Sequence, residues 1–223
     1  TGVKRMDFEE AVQAGLIEIM GEETDRAFMK EVMAMVNDRE SMSKVADTFK
    51  VVYTPFHGCG WKLVPEALRG LGVKHLYCVE QQMVLDGNFP TVESPNPEER
   101  KTMAKAIELG SRLGADLVLA TDPDSDRIGV ALRNAKGEYV LLNGNQTLSL
   151  IMAYQLTRWS ELGRLDGKEF VVKTIVTSQM PNVMAAHFGV KCYDCLTGFK
   201  YIARIIRNNA VSYTHLRAHE TGR

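Results

Sequence analysis

From Phe49 onward, short apolar runs alternate with segments of helical length, and this alternation constrains the fold more than any other feature of the chain. Residues 51–53, 76–79, 117–120, 170–176 and 190–193 are too short for stable helices and rich in Val, Leu, Ile and Tyr. Turn-forming residues bound them: Pro55, Gly58 and Gly60 after the first run, Gly72 before the second and Gly114 before the third. Between them, residues 62–71, 98–113, 145–160, 180–188 and 199–208 read as helices. Apolar strands separated by helices predict a sheet covered by helices. Residues 128–132 and 139–142 read as a hairpin turning at Lys136-Gly137, which makes the sheet mixed. The pattern restarts after Asn143-Gly144. The expected architecture is therefore α/β, with consecutive units whose mixed sheets are covered by helices.

Ahead of this region, residues 7–20 and 24–36 have helical spacing. Phe8, Val12, Leu16 and Ile19 form one stripe, and Phe28, Val32, Met35 and Val36 form another. Gly21 separates the two helices, Thr24 is the expected cap of the second, and the polar stretch 37–47 reads as a linker. The start at Thr1-Gly2-Val3-Lys4, without an initiator Met or an apolar leader core, reads as a cut from something longer. Residues 210–223 lack amphipathic period and read as a non-native tail, of the kind a frameshift or a translated adapter would add. His215 and His219 in that tail have helical ligand spacing but no third ligand to accompany them.

Composition narrows the function. Hydrophobic residues make up 45% and charged residues 25% of the 223, ordinary for a soluble globular chain. A net charge of −1 argues against a nucleic-acid binder, which carries a strong basic excess. No apolar run approaches the roughly 20 residues that span a bilayer, so no membrane partner is expected. Cys59, Cys78, Cys192 and Cys195 include one C-x-x-C, without the second pair that a zinc site needs. Free thiols in a reducing, cytoplasmic setting are the expectation.

The chemistry concentrates in Thr121-Asp122-Pro123-Asp124-Ser125-Asp126-Arg127. Three carboxylates at alternate positions follow directly on an apolar strand, where α/β sheets bind their ligands. Crowded carboxylates repel unless a cation neutralises them, and hard oxygen donors suit Mg²⁺. Arg127 adds a fixed charge suited to phosphate. A calcium-binding helix–loop–helix is excluded, since its glycine and glutamate positions hold Arg127 and Arg133. A haloacid dehalogenase-type phosphatase, with Asp122 as nucleophile, departs from the pattern at Asp126. That phosphatase and a metal- or anion-binding α/β module without catalysis stand as alternatives.

Residues 122–127 resemble the metal loop of the α-D-phosphohexomutases (the phosphoglucomutase/phosphomannomutase family). Four other segments resemble elements of that family in its order: Thr54-Pro-Phe-His-Gly-Cys-Gly60, Phe89-Pro-Thr-Val-Glu-Ser-Pro-Asn-Pro-Glu98, Leu142-Asn-Gly-Asn-Gln146 and Leu196-Thr-Gly-Phe-Lys-Tyr-Ile202. The resemblance implies that residues 1–47 are the end of a first domain and a helical linker, 48–143 a second domain with the metal loop, and 144–209 part of a third, in a four-domain enzyme. It implies a reversible phosphoryl shift on a sugar phosphate through a phosphoserine and a glucose 1,6-bisphosphate-type intermediate. Asp122, Asp124 and Asp126 would hold Mg²⁺, Arg127 would act on the transferring group, and Thr197, Gly198 and Lys200 would contact substrate. His57 would orient its turn. No Thr-Ala-Ser-His-Asn-Pro-like serine loop occurs in the chain, nor a Gly-Glu-Glu-Ser-type sugar loop, so the polypeptide by itself is expected to be inactive. Which sugar is preferred and how many copies assemble are left open by the sequence.

Overall fold

A computed structural model of the chain describes residues 2–209; the tail with His215 and His219 lies outside the described residues. Contacts divide the chain into one unit up to Val36 and another from Asn37 onward.

In the first unit, helix α1 (Phe8–Gln13) is capped by Asp7, whose carboxylate accepts from the amides of Glu9 and Glu10. It is shorter than the expected 7–20: Gly15 takes a left-handed turn (φ 69°) and ends it, leaving Leu16 and Ile19 exposed. Helix α2 (Glu22–Ala34) starts at Gly21, not at Thr24, which sits inside the first turn. Glu22, Glu23 and Asp25 in that turn oppose the positive end of the helix dipole, so no side-chain cap is required.

The second unit opens with helix α3 (Arg39–Val45) where a linker was expected. The signal for it is Asp38, which accepts from the Ser41 amide (2.9 Å) and hydroxyl (2.6 Å). Then follow β1 (Lys50–Thr54), α4 (Leu63–Leu71), β2 (His75–Cys78), α5 (Ala104–Leu113), β3 (Leu117–Thr121), β4 (Ile128–Arg133) and β5 (Tyr139–Leu142). They form a mixed sheet in the order β2-β1-β3-β4-β5. β1 runs parallel to β2 and β3, whereas β3, β4 and β5 pair antiparallel, with Thr121 opposite Ile128. Helix α5 begins six residues later than residue 98, because the Pro95-Asn96-Pro97 segment holds the chain in turns up to Met103. Its Gly110 lets the helix sit against the sheet: a Cβ there would lie 2.9 Å from both the Tyr139 hydroxyl and Val118. The core around it includes Val52, Phe56, Met103, Val118, Ala120 and Ala131, each fully buried.

The chain continues through α6 (Gly144–Glu161), β6 (Phe170–Thr174), α7 (Met180–His187), β7 (Lys191–Cys195) and α8 (Phe199–Asn208). Asn143 and Gln146 close a capping box at the start of α6, which marks the restart in the sequence. β6 and β7 form a parallel two-stranded sheet over a core of Met152, Leu156, Val171, Ala185 and Val190. Lys173 is wholly buried on β6 and pairs with Asp194, its register partner on β7. Cys192 and Cys195 lie on β7, three residues apart in a strand and hence on opposite faces. Among the described residues no helix is long and apolar enough to cross a membrane.

Candidate metal centre

β3 is the middle strand of the five and runs directly into the acidic loop. Ser125 adopts the left-handed conformation (φ 59°), and its amide donates to the Asp122 carbonyl at 3.0 Å. The Asp122 amide reaches back to the Arg127 carbonyl, and the chain reverses into β4. This tight reversal brings a carboxylate oxygen from each of Asp122, Asp124 and Asp126 within 4.8 Å of one another. Asp122 is buried, while Asp124 and Asp126 face solvent.

Arg127 fixes the inner carboxylate. Its amide donates to Asp122 Oδ1 at 2.9 Å and its Nε donates to Oδ2 at 2.8 Å. Burial pushes the Asp122 carboxyl up, but these bonds, a bond with Asp124 and the guanidinium charge outweigh it and hold the group below the usual carboxylate range. Asp126 moves the other way. Burial raises it first, the charges of Asp122 and Asp124 add to this, and Arg127 only partly offsets them. Three hard oxygen donors in mutual repulsion, one inner and anchored and two open to solvent, fit a divalent cation that keeps some of its water, as Mg²⁺ does.

A second loop supports the first. The turn after β1 carries Phe56 and His57 in left-handed conformations (φ 46° and 66°). It passes so close to the acidic loop that a Cβ on Gly58 would lie 2.2 Å from Pro123 Cα. The Cys59 amide donates to the Pro123 carbonyl at 2.8 Å. Below it, the Tyr53 hydroxyl pairs with Thr121 Oγ1 at 2.8 Å, and burial pushes the Tyr53 phenol far above its usual range. Gly60 leaves room for this cluster, since a Cβ there would meet Tyr53 Oη at 2.4 Å and both Thr121 Oγ1 and Ser125 Oγ at 2.8 Å.

The structure thus gathers Asp122, Asp124, Asp126 and Arg127 at one point. Thr197, Gly198 and Lys200 lie on the other sheet, at the turn from β7 into α8. Gly198 adopts φ 125°, a value that favours glycine, and Lys200 sits over the Tyr201 ring at 5.0 Å. Residues that sequence reading passed over include Tyr53, Gln82, Thr91 and Ser125. Only the hydroxyl-rich spelling around Asp122 could have flagged Ser125; Thr91 is signalled only by its place in the Phe89–Glu98 segment, and Gln82 carries no local signal.

Comparison with known proteins places these loops in context. Residues 26–137 match the model of phosphoglucomutase/phosphomannomutase alpha/beta/alpha domain II, and residues 143–214 match that of domain III. A phosphoglucomutase of Staphylococcus aureus strain N315 is 38% identical over 158 residues, which cover 71% of this chain and 28% of the relative. A phosphoglucomutase/phosphomannomutase family protein from Burkholderia thailandensis, solved by X-ray crystallography, superposes with a TM-score of 0.58 at 20% identity, over 72% of this chain and 32% of that one. The N-acetylphosphoglucosamine mutase of Aspergillus fumigatus, solved in complex with GlcNAc-6P and magnesium, superposes with a TM-score of 0.50 at 14% identity, over 72% and 33%. The matched part of the chain spans little more than a quarter of the length of the Staphylococcus relative.

Proposed function

The chain belongs to the phosphoglucomutase/phosphomannomutase family, and from that premise we propose that it is part of an enzyme that shifts a phosphoryl group between two positions of a sugar phosphate, with Mg²⁺ held by Asp122, Asp124 and Asp126. Residues 48–143 are assigned to a second domain and 144–209 to part of a third, with 1–47 as the end of a first domain and its linker. The observation that carries the reading is the convergence of three carboxylates within 4.8 Å around one buried, anchored aspartate. The magnesium bound by the Aspergillus mutase accords with it.

When bound, Mg²⁺ supplies positive charge to a phosphoryl group in transfer. The residues of the chain do the positioning. Arg127 spends its Nε on Asp122, which leaves its two terminal nitrogens as the donors assigned to the transferring phosphoryl. Asp122 takes hydrogen bonds on both oxygens and is thereby a poor nucleophile, which weighs against a phosphatase that attacks through this residue. The phosphoryl donor is instead a phosphoserine outside residues 1–223: a substrate hydroxyl takes its phosphoryl group, which gives a bisphosphorylated sugar of the glucose 1,6-bisphosphate type, and the freed serine hydroxyl takes the other phosphoryl group back. Thr197, Gly198 and Lys200 are assigned to substrate, where the glycine conformation lets backbone approach a sugar or phosphate closely. The free thiols of Cys59, Cys78 and Cys192 fit a cytoplasmic location.

Calorimetric titration tests the metal assignment. The chain is expected to bind one Mg²⁺, and Asp124→Asn and Asp126→Asn are each expected to weaken it by about 10- to 100-fold. A wild-type chain without Mg²⁺ binding would sink the assignment. Mutase turnover by the isolated polypeptide would refute the external serine.

A further inference from the structure

Beside the turn that touches the acidic loop lies a set of linked polar side chains, buried at Thr54, His57 and Gln82 and half-buried at Thr91, that includes none of the proposed ligands. Gln82 is fully buried. Its Oε1 accepts from the Thr54 hydroxyl at 2.7 Å and its Nε2 donates to Thr91 Oγ1 at 2.9 Å. Thr91 Oγ1 also pairs with His57 Nε2 at 2.9 Å, and His57 Nδ1 pairs with the Val84 carbonyl at 2.9 Å. A carbonyl only accepts, so His57 Nδ1 donates to it, and in the neutral ring Nε2 accepts from the Thr91 hydroxyl. Thr54 Oγ1 in turn accepts from the Phe56 amide at 3.2 Å. Each polar atom of Gln82 and His57 in this set thus finds a partner suited to its role, which is the condition under which a buried network rigidifies its surroundings.

The backbone extends the hold. The His57 amide donates to the Gln82 carbonyl at 2.9 Å, and the His57 carbonyl accepts from the Asp86 amide at 3.3 Å. His57 is therefore fixed through both ring nitrogens and both main-chain groups. That fixation matters because Phe56 and His57 occupy left-handed backbone, which is strained for a residue with a side chain and persists only where the surroundings enforce it. The next residues, Gly58 and Cys59, are the ones that press on and hydrogen-bond to Pro123. Pro123 stands between Asp122 and Asp124.

We propose that the Gln82–Thr91–His57 network is a positioning device for the acidic loop, setting the affinity of Asp122, Asp124 and Asp126 for a divalent cation although no member of the network is a ligand. Released from the network, the 55–60 turn relaxes out of the left-handed region, the Cys59–Pro123 hydrogen bond lengthens, and the outer aspartates lose their convergence on Asp122. The inference rests on the cation reading of the loop, and its test separates the two.

The full chain is titrated with Mn²⁺ alone, read by the loss of the free-ion electron paramagnetic resonance signal. In parallel, denaturant unfolding in chelator and amide hydrogen exchange are measured. Thr91→Val removes the hydroxyl and keeps the shape. It is expected to raise the Mn²⁺ Kd by about 10- to 100-fold under conditions where the chain is folded, while Thr91→Ser stays within about twofold of wild type. A structural role alone would lower the unfolding midpoint of Thr91→Val and leave its Kd in place, so a folded Thr91→Val with wild-type affinity overturns the proposal. If Thr91→Val does not fold, Gly58→Ala carries the test, because its Cβ displaces Pro123 while the network stays intact; wild-type affinity in a folded Gly58→Ala also overturns it. If wild-type chain binds no Mn²⁺, the cation reading falls, and the Cys59 amide decides the positioning role. Exchange there at least about tenfold faster in Thr91→Val supports it, and unchanged protection overturns it.

Discussion

Arg127→Met offers a direct measure of what the acidic loop costs the protein when nothing neutralises it. Asp122 is 2% exposed, and its carboxylate takes one bond from the Arg127 amide and one from Arg127 Nε. The substitution leaves the amide bond in place and removes the charge-assisted one. A hydrogen bond to a charged group contributes about 1.5–3 kcal/mol, and breaking a fully buried ion pair costs about 3–5 kcal/mol. The side chain of Arg127 is 30% exposed, so water reaches the guanidinium and the lower range applies. The expected loss is about 2–3 kcal/mol of unfolding free energy in chelator. Saturating Mg²⁺ supplies the missing positive charge, and the gap between variant and wild type narrows to about 1 kcal/mol or less. Urea unfolding followed by circular dichroism, with chelator in one series and Mg²⁺ in the other, reads both quantities. Equal stability in chelator, or a deficit that Mg²⁺ does not shrink, would refute the reasoning.

The pair on the second sheet makes a contrasting case. Lys173→Met, which fills a fully buried position with an apolar chain, is expected to be neutral or stabilising in urea unfolding, whereas Asp194→Asn strands the ammonium and costs about 1–3 kcal/mol, discounted because Asp194 is partly solvated. The Lys173 hydrogen bond holds the Asp194 carboxyl below its usual range against the opposing effect of burial. A depressed folded-state value means that this contribution is present above the unfolded pKa of about 3.9 and is lost as pH falls through the folded one, a dependence Asp194→Asn should flatten. Among the thiols, Cys59 is exposed, while burial pushes Cys78 and Cys192 up. Iodoacetamide labelling read by peptide mass spectrometry should modify Cys59 first; earlier modification of Cys78 or Cys192 would contradict the burial described.

Much of this was legible in the residues. β1, β3 and β5 were readable because each is a short, largely apolar run with a proline or glycine within two residues of its end, and the left-handed C-cap at Gly72 ended α4 at the expected residue. The carboxylate cluster was readable because its members alternate within one loop. What failed is instructive. The stripe from Phe8 to Ile19 has helical period, yet Gly15 breaks it, and period alone does not say whether anything covers the stripe. Helix α3 was missed because it is short and polar, and only its Asp38 cap announced it. The support beside the acidic loop was legible only in part: His57 was expected to orient its turn, but its partners were not identified. It joins Thr54, His57, Gln82 and Thr91, which are separated by up to 34 residues in its paired contacts, and no periodic pattern records such a meeting.

The pairing of β3 with β4 sets a limit on how the acidic loop can vary in length. Thr121 stands opposite Ile128, and in the same register Val118 faces Ala131. Ala131 is fully buried, whereas its neighbour Leu132 is 38% exposed. Between Thr121 and Ile128, a deleted residue would slip β4 by one position and bring Leu132, and an inserted one Val130, into a space that holds a methyl group. The alternative is a bulge, which would draw the aspartates apart. Loop length is therefore held by the packing of the sheet as well as by the carboxylates, and a gain or loss of one residue there would injure the core before it altered any aspartate.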